Sequence, residues 1–171
     1  IESRDRTLIK DLIDQKIDLN QPDQDGVLPL EKAIQLNIPD IVESLVLNGA
    51  TSFPRLFEMA VQHMEDPEKQ ARVIDILLKH SAIDVNQPLS NGNTPLGHAC
   101  FTGRIEVIKI LLDHGADINL KLPSTLSPLH LAIQPNDPEL IRFLLKAGAD
   151  PLAVNRKGFT PAMYALGENK D

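Results

Sequence analysis

The chain repeats the same pattern of residues every 33 positions. Four prolines fall at separations of 33 or 66 residues. They are Pro29, Pro95, Pro128 and Pro161. Acidic residues and asparagines keep the same period, in the series Asp18, Asp84, Asp117 and Asp150 and the series Asn20, Asn86 and Asn119. Independent residue types do not align by chance at one spacing, and a period of about 20 to 50 residues is typical of repeat proteins.

One unit, residues 94–119, shows the local structure that each copy encodes. Thr94 is a good helix N-cap, and Pro95 fits the first helical position, where its missing N–H costs nothing. Gly103 can take the left-handed conformation that ends the first helix, and apolar residues at helical spacing follow from Ile105 to Leu112. The unit therefore predicts a helix, a turn, a second helix and an extended loop. Such short helices are unstable alone, so they must stack on neighbouring copies.

Three segments of the chain resemble the Thr-Pro-Leu-His-x-Ala signature of ankyrin repeats. The matching residues are Thr94, Pro95, Ser127, Pro128, His130, Thr160 and Pro161. The segments "LLDHGADIN" and "LLKAGADPL" also resemble the end of the second ankyrin helix. The resemblance implies an all-α ankyrin-repeat α-solenoid of helix-turn-helix units joined by β-hairpin loops. It also implies that the signature histidine, His130, hydrogen-bonds the hairpin and braces the repeat.

The repeats divide a single predicted domain, residues 1–171, into six parts. They are a partial repeat at 1–17, repeats at 18–50, 84–116 and 117–149, an irregular repeat at 51–83, and a truncated repeat at 150–171. We expect only a second helix, over residues 3–14, in the first part, which suggests that sequence upstream was removed. Thr125 stands where other repeats have glycine, so the tip "KLPSTL" cannot use the usual glycine turn. A single frayed helix is expected in the last part.

The third repeat departs most from the period. Ala60 matches Ala33 and Ala99 at separations of 27 and 39 residues, so six residues are missing before it and six extra residues follow. We therefore expect no hairpin at residues 50–56. We expect a lengthened inner helix or loop near residues 63–70, with most of the extra residues between the two helices. Asp66 and Pro67 would restart the second helix as its N-cap and first residue.

Composition narrows the classes of function. The net charge of −7 disfavours non-specific binding to nucleic acid. A single cysteine excludes an internal disulfide and fits a reducing compartment, and no apolar run approaches the roughly 18 residues of a membrane span. We expect an intracellular monomer in the cytoplasm, with the nucleus or a host cytosol as alternatives.

The residues show no pattern that predicts catalysis or metal binding. The five histidines form no HExxH motif. The one cysteine, Cys100, falls on the apolar side of its predicted helix, where core packing is expected. His98, two residues away, points elsewhere on that helix. We therefore predict no catalytic residue, no metal site and no cofactor.

Positions that differ between copies are the candidates for binding. In this architecture the hairpin tips and the ends of the inner helices line one concave surface. The candidate contacts there are Leu89, Asn91, Asn93, Phe101, Leu122, Leu126, Arg156, Lys157 and Phe159. Exposed apolar groups on a rigid groove favour a protein contact, although some of these side chains could instead pack on adjacent tips.

The predicted function is therefore a protein–protein interaction module that holds a partner protein or peptide on its concave face. One alternative is a regulatory or substrate-targeting domain of a larger enzyme, such as an effector of an intracellular bacterium. Catalysis by this segment itself is the least favoured alternative. Asn86 and Asn119 also resemble the ankyrin asparagine that a eukaryotic asparaginyl hydroxylase modifies.

Overall fold

The computed structural model describes residues 11, 15, 18–51, 53–120 and 126–168. These residues form nine α-helices and no strand. The chain divides into two compact units, Ile1–Ile83 (unit 1) and Asp84–Asp171 (unit 2). The all-helical fold class is confirmed, whereas one continuous domain over 1–171 stays a prediction. The predicted helix over residues 3–14 and most of the tip at residues 121–126 lie outside the described residues.

Unit 1 contains two stacked helix-turn-helix repeats. Its helices are α1 (Pro29–Gln35), α2 (Pro39–Leu47), α3 (Phe53–His63) and α4 (Pro67–Lys79). The inner helices α1 and α3 pack together, the outer helices α2 and α4 pack together, and each inner helix packs on its own outer helix. Ile34, Val42, Leu56, Ile74 and Leu77 are at most 1% exposed between these helices. Copying the helix pair therefore creates the core that one pair lacks.

Between residues 50 and 56, the positions that the structure describes hold no hairpin. Helix α3 already begins at Phe53, which agrees with the expected loss. Asp66 caps α4 as predicted, and its carboxylate accepts hydrogen bonds from the backbone N–H groups of Glu68 and Lys69, each at 3.1 Å.

The inner helix α3 is longer than α1, with 11 residues against seven, but the expectation that most of the extra residues lie between the two helices was wrong. Helix α4 has 13 residues, whereas the equivalent outer helix α2 has nine, so four of the six extra residues lengthen the outer helix. Its sequence holds no glycine or internal proline, and its apolar residues, among them Ala71, Ile74 and Leu77, keep helical spacing and are buried. The helix therefore continues where an added loop was expected.

A buried acid replaces the signature histidine in the second repeat. Glu31 follows Leu28-Pro29-Leu30 and is 5% exposed. One of its carboxylate oxygens accepts a hydrogen bond from the Arg55 guanidinium at 2.9 Å. Arg55 lies in the first turn of α3, where the missing hairpin would otherwise rejoin the helix. A guanidinium only donates hydrogen bonds, so an acceptor at position 31 suits this junction.

Unit 2 repeats the same helix-turn-helix design. Its helices are α5 (Pro95–Phe101), α6 (Ile105–Asp113), α7 (Pro128–Leu131), α8 (Pro138–Lys146) and α9 (Pro161–Glu168). Helix α5 packs on α6 and on α7, and α7 packs on α9. As predicted, Thr94 caps α5 through its hydroxyl, which accepts from the N–H of Gly97 at 2.9 Å, and Gly103 is left-handed with φ +70°.

Two non-glycine residues share the left-handed turn of Gly103. Asn37 and Asn136 occupy the same phase of their repeats, with φ values of 59° and 52°. Asparagine tolerates this conformation better than most residues, since its short polar side chain can bond locally. The turn between inner and outer helix is therefore the same in three repeats, although only one of them uses glycine.

Candidate protein-binding face

Three hairpin tips are tight loops, each closed by two backbone hydrogen bonds, one of them donated by the tip glycine to the carbonyl three residues before it. The N–H groups of Asp23, Leu89 and Asn155 donate to the carbonyl groups four residues later, at 3.0, 2.8 and 2.9 Å. Each tip carries a glycine at φ 78° or 79°, a conformation that other residues rarely adopt.

Side-chain acceptors hold all three tips further, and in the fourth repeat Asn91 Oδ1 accepts from the Asn93 N–H at 3.0 Å. Asn155 Oδ1 accepts from the N–H groups of Lys157 and Phe159 at 2.9 and 3.0 Å. Asp23 makes the matching pair of bonds in the second repeat. Side chains on these tips therefore start from a fixed backbone.

The position before each Ser/Thr-Pro pair lies on the returning arm of its tip. Phe159 occupies it in the sixth repeat and is 40% exposed, and Leu126 and Asn93 are half-buried at the same phase. The Phe159 backbone is fixed twice, because its N–H donates to Asn155 and its carbonyl oxygen lies 2.9 Å from His130 Nε2. A large apolar side chain is thus presented on a rigid frame.

His130 joins the inner helix of the fifth repeat to the tip of the sixth. Its ring is fully buried, with Nδ1 2.6 Å from Ser127 Oγ and Nε2 at the Phe159 carbonyl. A carbonyl oxygen only accepts, so Nε2 carries a proton, and in the neutral ring the Ser127 hydroxyl donates to Nδ1. Ser127 therefore holds the histidine rather than capping α7, which has no side-chain cap bond. The ring also meets Tyr164 edge to face, with centroids 5.7 Å apart.

The remaining candidate contacts divide between exposed and buried positions. Phe101, at the end of α5, is 46% exposed. Asn91, Arg156 and Lys157 are exposed at the tips.

Leu89 corrects one of our expectations, because it is 6% exposed and belongs to the core. It stands at the tip position where Asp23 and Asn155 supply a side-chain acceptor, and an apolar side chain there turns inward instead. Leu122 lies outside the described residues.

Sequence reasoning missed the role of the periodic asparagines, which connect one repeat to the next. Asn119 Nδ2 donates to the Gly148 carbonyl at 3.0 Å, and its Oδ1 accepts from the Asp150 N–H at 2.8 Å. Asn86 makes the same two contacts with Gly115 and Asp117. Asn20 does so with Gly49 and Thr51. We call Asn20, Asn86 and Asn119 the asparagine ladder.

The ladder stops in the sixth repeat. Leu152 follows Asn119 by one period and cannot make either bond, and it is 76% exposed. Two apolar residues of α9, Met163 and Leu166, are also exposed, at 54% and 72%. The 33-residue spacing was visible in the sequence, but the partners of the asparagine side chains were not.

The groups considered for catalysis have structural surroundings. Burial raises the pKa of the Cys100 thiol to about 12, so it stays protonated at neutral pH. Among the described residues, no three histidine, cysteine, aspartate or glutamate side chains group closely enough to hold a metal ion. None of the helices within the described residues is long and apolar enough to cross a membrane.

Comparison with known families agrees with this geometry. A model of three ankyrin repeats matches residues 68–122, and a model of one ankyrin repeat matches residues 126–156. Together the two matches span just over half of the chain. The chain belongs to the ankyrin repeat family. Ankyrin repeats are generally protein-binding modules and are not themselves catalytic.

The chain spans less than half the length of each of the following relatives that it matches. It is 32% identical over 133 residues to the human transient receptor potential cation channel subfamily A member 1, spanning 77% of this chain and 12% of that protein. It is 26% identical over 126 residues to the E3 ubiquitin-protein ligase KEG of Arabidopsis thaliana, spanning 73% of this chain and 8% of the ligase. The human protein phosphatase 1 regulatory subunit 27 is 35% identical over 72 residues, which are 42% of this chain and 47% of the subunit.

Proposed function

We propose that this ankyrin domain binds a segment of a partner protein on the tips and inner-helix ends of unit 2. The observation that carries the proposal is Phe159, which is 40% exposed on a backbone that Asn155 and His130 hold at both its N–H and its carbonyl. A rigid aromatic anchor loses little conformational entropy on binding, and such residues are enriched among binding hot spots. Leu126, at the same phase of the neighbouring repeat, extends the apolar surface.

The charge beside this anchor selects the chemistry of the partner. Arg156 and Lys157 are exposed in the same tip as Phe159. A partner segment with an apolar side chain for Phe159 and Leu126, and an acidic group near it, would complement both features. Charges at the rim of an interface mainly steer association, so alanine at Arg156 would slow the on-rate and reduce its salt dependence.

Affinity capture with the whole chain, followed by titration of the captured partner, tests the proposal. Phe159→Ala and Leu126→Ala should each weaken binding by about 1–3 kcal/mol, as expected for hot-spot residues, with little change in thermal stability. Leu47→Ala is the matched control, because Leu47 is an exposed apolar residue of unit 1 at 62%. Wild-type affinity in both unit 2 variants would place recognition elsewhere.

A second candidate function is a regulatory or substrate-targeting domain within a larger enzyme. It is favoured by the similarity to the E3 ubiquitin-protein ligase KEG, of which this chain spans 8%. Determining the full coding sequence and the mass of the native protein separates the two readings. An attached catalytic domain supports this candidate, and a protein of ankyrin repeats alone argues against it. An effector role in a host cell, the cytoplasmic location and the hydroxylation of Asn86 or Asn119 stay predictions.

A further inference from the structure

Two peptide bonds of the chain join an asparagine to a glycine. They are Asn48–Gly49, at the end of α2, and Asn91–Gly92, in the hairpin tip of the fourth repeat. Both asparagines are exposed. Glycine has no side chain to hinder its backbone nitrogen, so this nitrogen can attack the side-chain carbon Cγ of the preceding asparagine and close an imide ring. The two sites share this local chemistry, and the structure distinguishes them.

The tip orders Asn91 for this reaction. Its Oδ1 accepts a hydrogen bond from the N–H of Asn93 at 3.0 Å. An asparagine side chain that bonds two residues ahead folds back over the peptide between them, which here contains the nitrogen of Gly92. The same bond places a donor on the oxygen that gains negative charge when Cγ is attacked. A donor aimed at developing charge lowers the barrier of a reaction.

A histidine lies beside the nitrogen that must leave. His98, on the inner helix α5, places Nδ1 3.5 Å from Asn91 Nδ2. An amide nitrogen only donates hydrogen bonds, so Nδ1 presents its lone pair to this group. That lone pair can take up a proton as the nitrogen of Gly92 gives one up, and it can return the proton to Nδ2 as ammonia departs. His98 would thus act first as a general base and then as a general acid.

One backbone hydrogen bond protects the nucleophile at this site. The N–H of Gly92 donates to the Leu89 carbonyl at 2.8 Å, so the tip must open there before the ring can close. Opening one such bond slows a reaction by a factor of about two to ten. The space around the tip is free, because a Cβ added to Gly92 would meet no atom within 4 Å.

Asn48 is held more firmly than Asn91. Its Nδ2 donates to the Ser44 carbonyl at 2.8 Å, which ties the leaving nitrogen to the helix. The N–H of Gly49 donates to the Val46 carbonyl at 3.1 Å. Ring closure at Asn48 must therefore break both bonds.

We infer that Asn91 is a site of spontaneous deamidation. Gly92 is the nucleophile, the Asn93 N–H binds the developing oxyanion, and His98 transfers the proton. The bond from the Gly92 nitrogen to Asn91 Cγ forms and the bond from Cγ to Nδ2 breaks. Ammonia leaves with the proton that the Gly92 nitrogen lost.

Water then opens the imide ring at one of its two carbonyl groups. The product at position 91 is aspartate or isoaspartate, and water is the only co-reactant. Either product adds one negative charge to the tip, and isoaspartate also inserts a methylene group into its backbone. The inference needs no partner protein, so it does not rest on the proposed function.

Ageing the whole chain in buffer at neutral pH tests the inference, with Asn48 as the internal control. Samples are digested, and mass spectrometry follows the replacement of the side-chain NH₂ by OH in each Asn-Gly peptide. Electron-transfer fragmentation distinguishes isoaspartate from aspartate. The same series is repeated in urea, where only the local sequence acts.

In the folded chain Asn91 should deamidate at least about tenfold faster than Asn48, because fewer hydrogen bonds must break and a proton carrier is present. Isoaspartate should be among the products, and in urea the two rates should become similar. His98→Leu should slow the reaction of Asn91 by about three- to tenfold in the folded chain and leave it unchanged in urea. His114→Leu is the matched control, because His114 is a half-buried histidine of the same repeat, and it should react as the wild type does.

Three results would overturn the inference. They are equal rates at Asn48 and Asn91 in the folded chain, the absence of isoaspartate at position 91, and a His98→Leu rate that is unchanged or higher. A loosened tip would expose the Gly92 nitrogen and speed the reaction, so slowing by His98→Leu is not a result of lost structure. If circular dichroism shows that His98→Leu does not fold, His98→Gln takes its place. Its amide carries no proton between the two nitrogens, so it must slow the reaction as well, or the inference is wrong.

Discussion

His130 links one repeat to the proposed binding surface of the next, and the structure gives the loss of stability expected when its side chain is replaced. Its ring is fully buried and contacts Ser127 Oγ at 2.6 Å and the Phe159 carbonyl at 2.9 Å. His130→Leu keeps a side chain of similar size and removes both hydrogen bonds. Each bond contributes about 0.5–1.5 kcal/mol net. We therefore expect the free energy of unfolding to fall by about 1–3 kcal/mol.

Two measurements separate a general loss of stability from a loosened tip. Urea unfolding followed by circular dichroism gives the change in free energy, and His130→Ala should lose more than His130→Leu because it also leaves a cavity. Hydrogen exchange should quicken at the amides of Gly158 and Phe159, whose N–H groups bond within the tip. His80→Leu, at an exposed histidine of unit 1, is the control and should leave the exchange of this tip unchanged.

The reasoning is refuted if His130→Leu unfolds at the wild-type urea concentration and the tip amides exchange at unchanged rates. The hydrogen bonds of His130 would then contribute nothing to the frame that presents Phe159, and the rigidity argument for that anchor would fall with them.

Two further predictions test the packing of unit 2. Ala132 is fully buried in the fifth repeat, so Ala132→Leu should overpack the junction between inner helices and lower the stability by about 1–3 kcal/mol; unchanged thermal unfolding would show that the repeat register is wrong. Cys100 is fully buried and burial raises the pKa of its thiol from 9.0 to about 12. The native protein should therefore resist alkylation by iodoacetamide at pH 8 and react in urea. Because the pKa is higher in the folded state, the stability that the neutral thiol contributes is complete below pH 9 and is lost as the pH rises toward 12. Cys100→Ala should lack that loss, and an equal decline in this variant would assign it to other groups.

The sequence predicted the parts of the fold that follow local rules. The N-caps Thr94 and Asp66, the prolines at helix starts and the glycine turn at Gly103 depend on a few neighbouring residues, and each lies where it was expected. The missing hairpin in the third repeat could be predicted because a short loop cannot go out and return. Asn37 and Asn136 were missed as turn residues, since asparagine adopts positive φ only when its surroundings favour it.

Features that depend on the next repeat could not be predicted from one unit alone. Leu89 was expected on the surface because tip residues usually vary and face solvent, but it turns into the core. The ion pair of Glu31 with Arg55 exists because the third repeat brings a helix where a tip is missing. Phe101, Leu126 and Phe159 are at least partly accessible, as the prediction of a binding face requires, and their contact with a partner stays a proposal.

The asparagine ladder also determines how the fifth and sixth repeats would respond to mechanical force. Outside the helices, His130 joins them at the Phe159 carbonyl, and Asn119 Oδ1 joins them by accepting from the Asp150 N–H. The Asn119 side chain is exposed, so water can attack its bond as soon as tension separates the repeats. When the chain ends are pulled, the sixth repeat should detach first, because Leu152 provides no such bonds of its own. Each full 33-residue repeat that follows would release about 110 Å of extended chain. Traction would thus produce a series of equal steps, and the protein would lengthen gradually under loads that would rupture a single core at once.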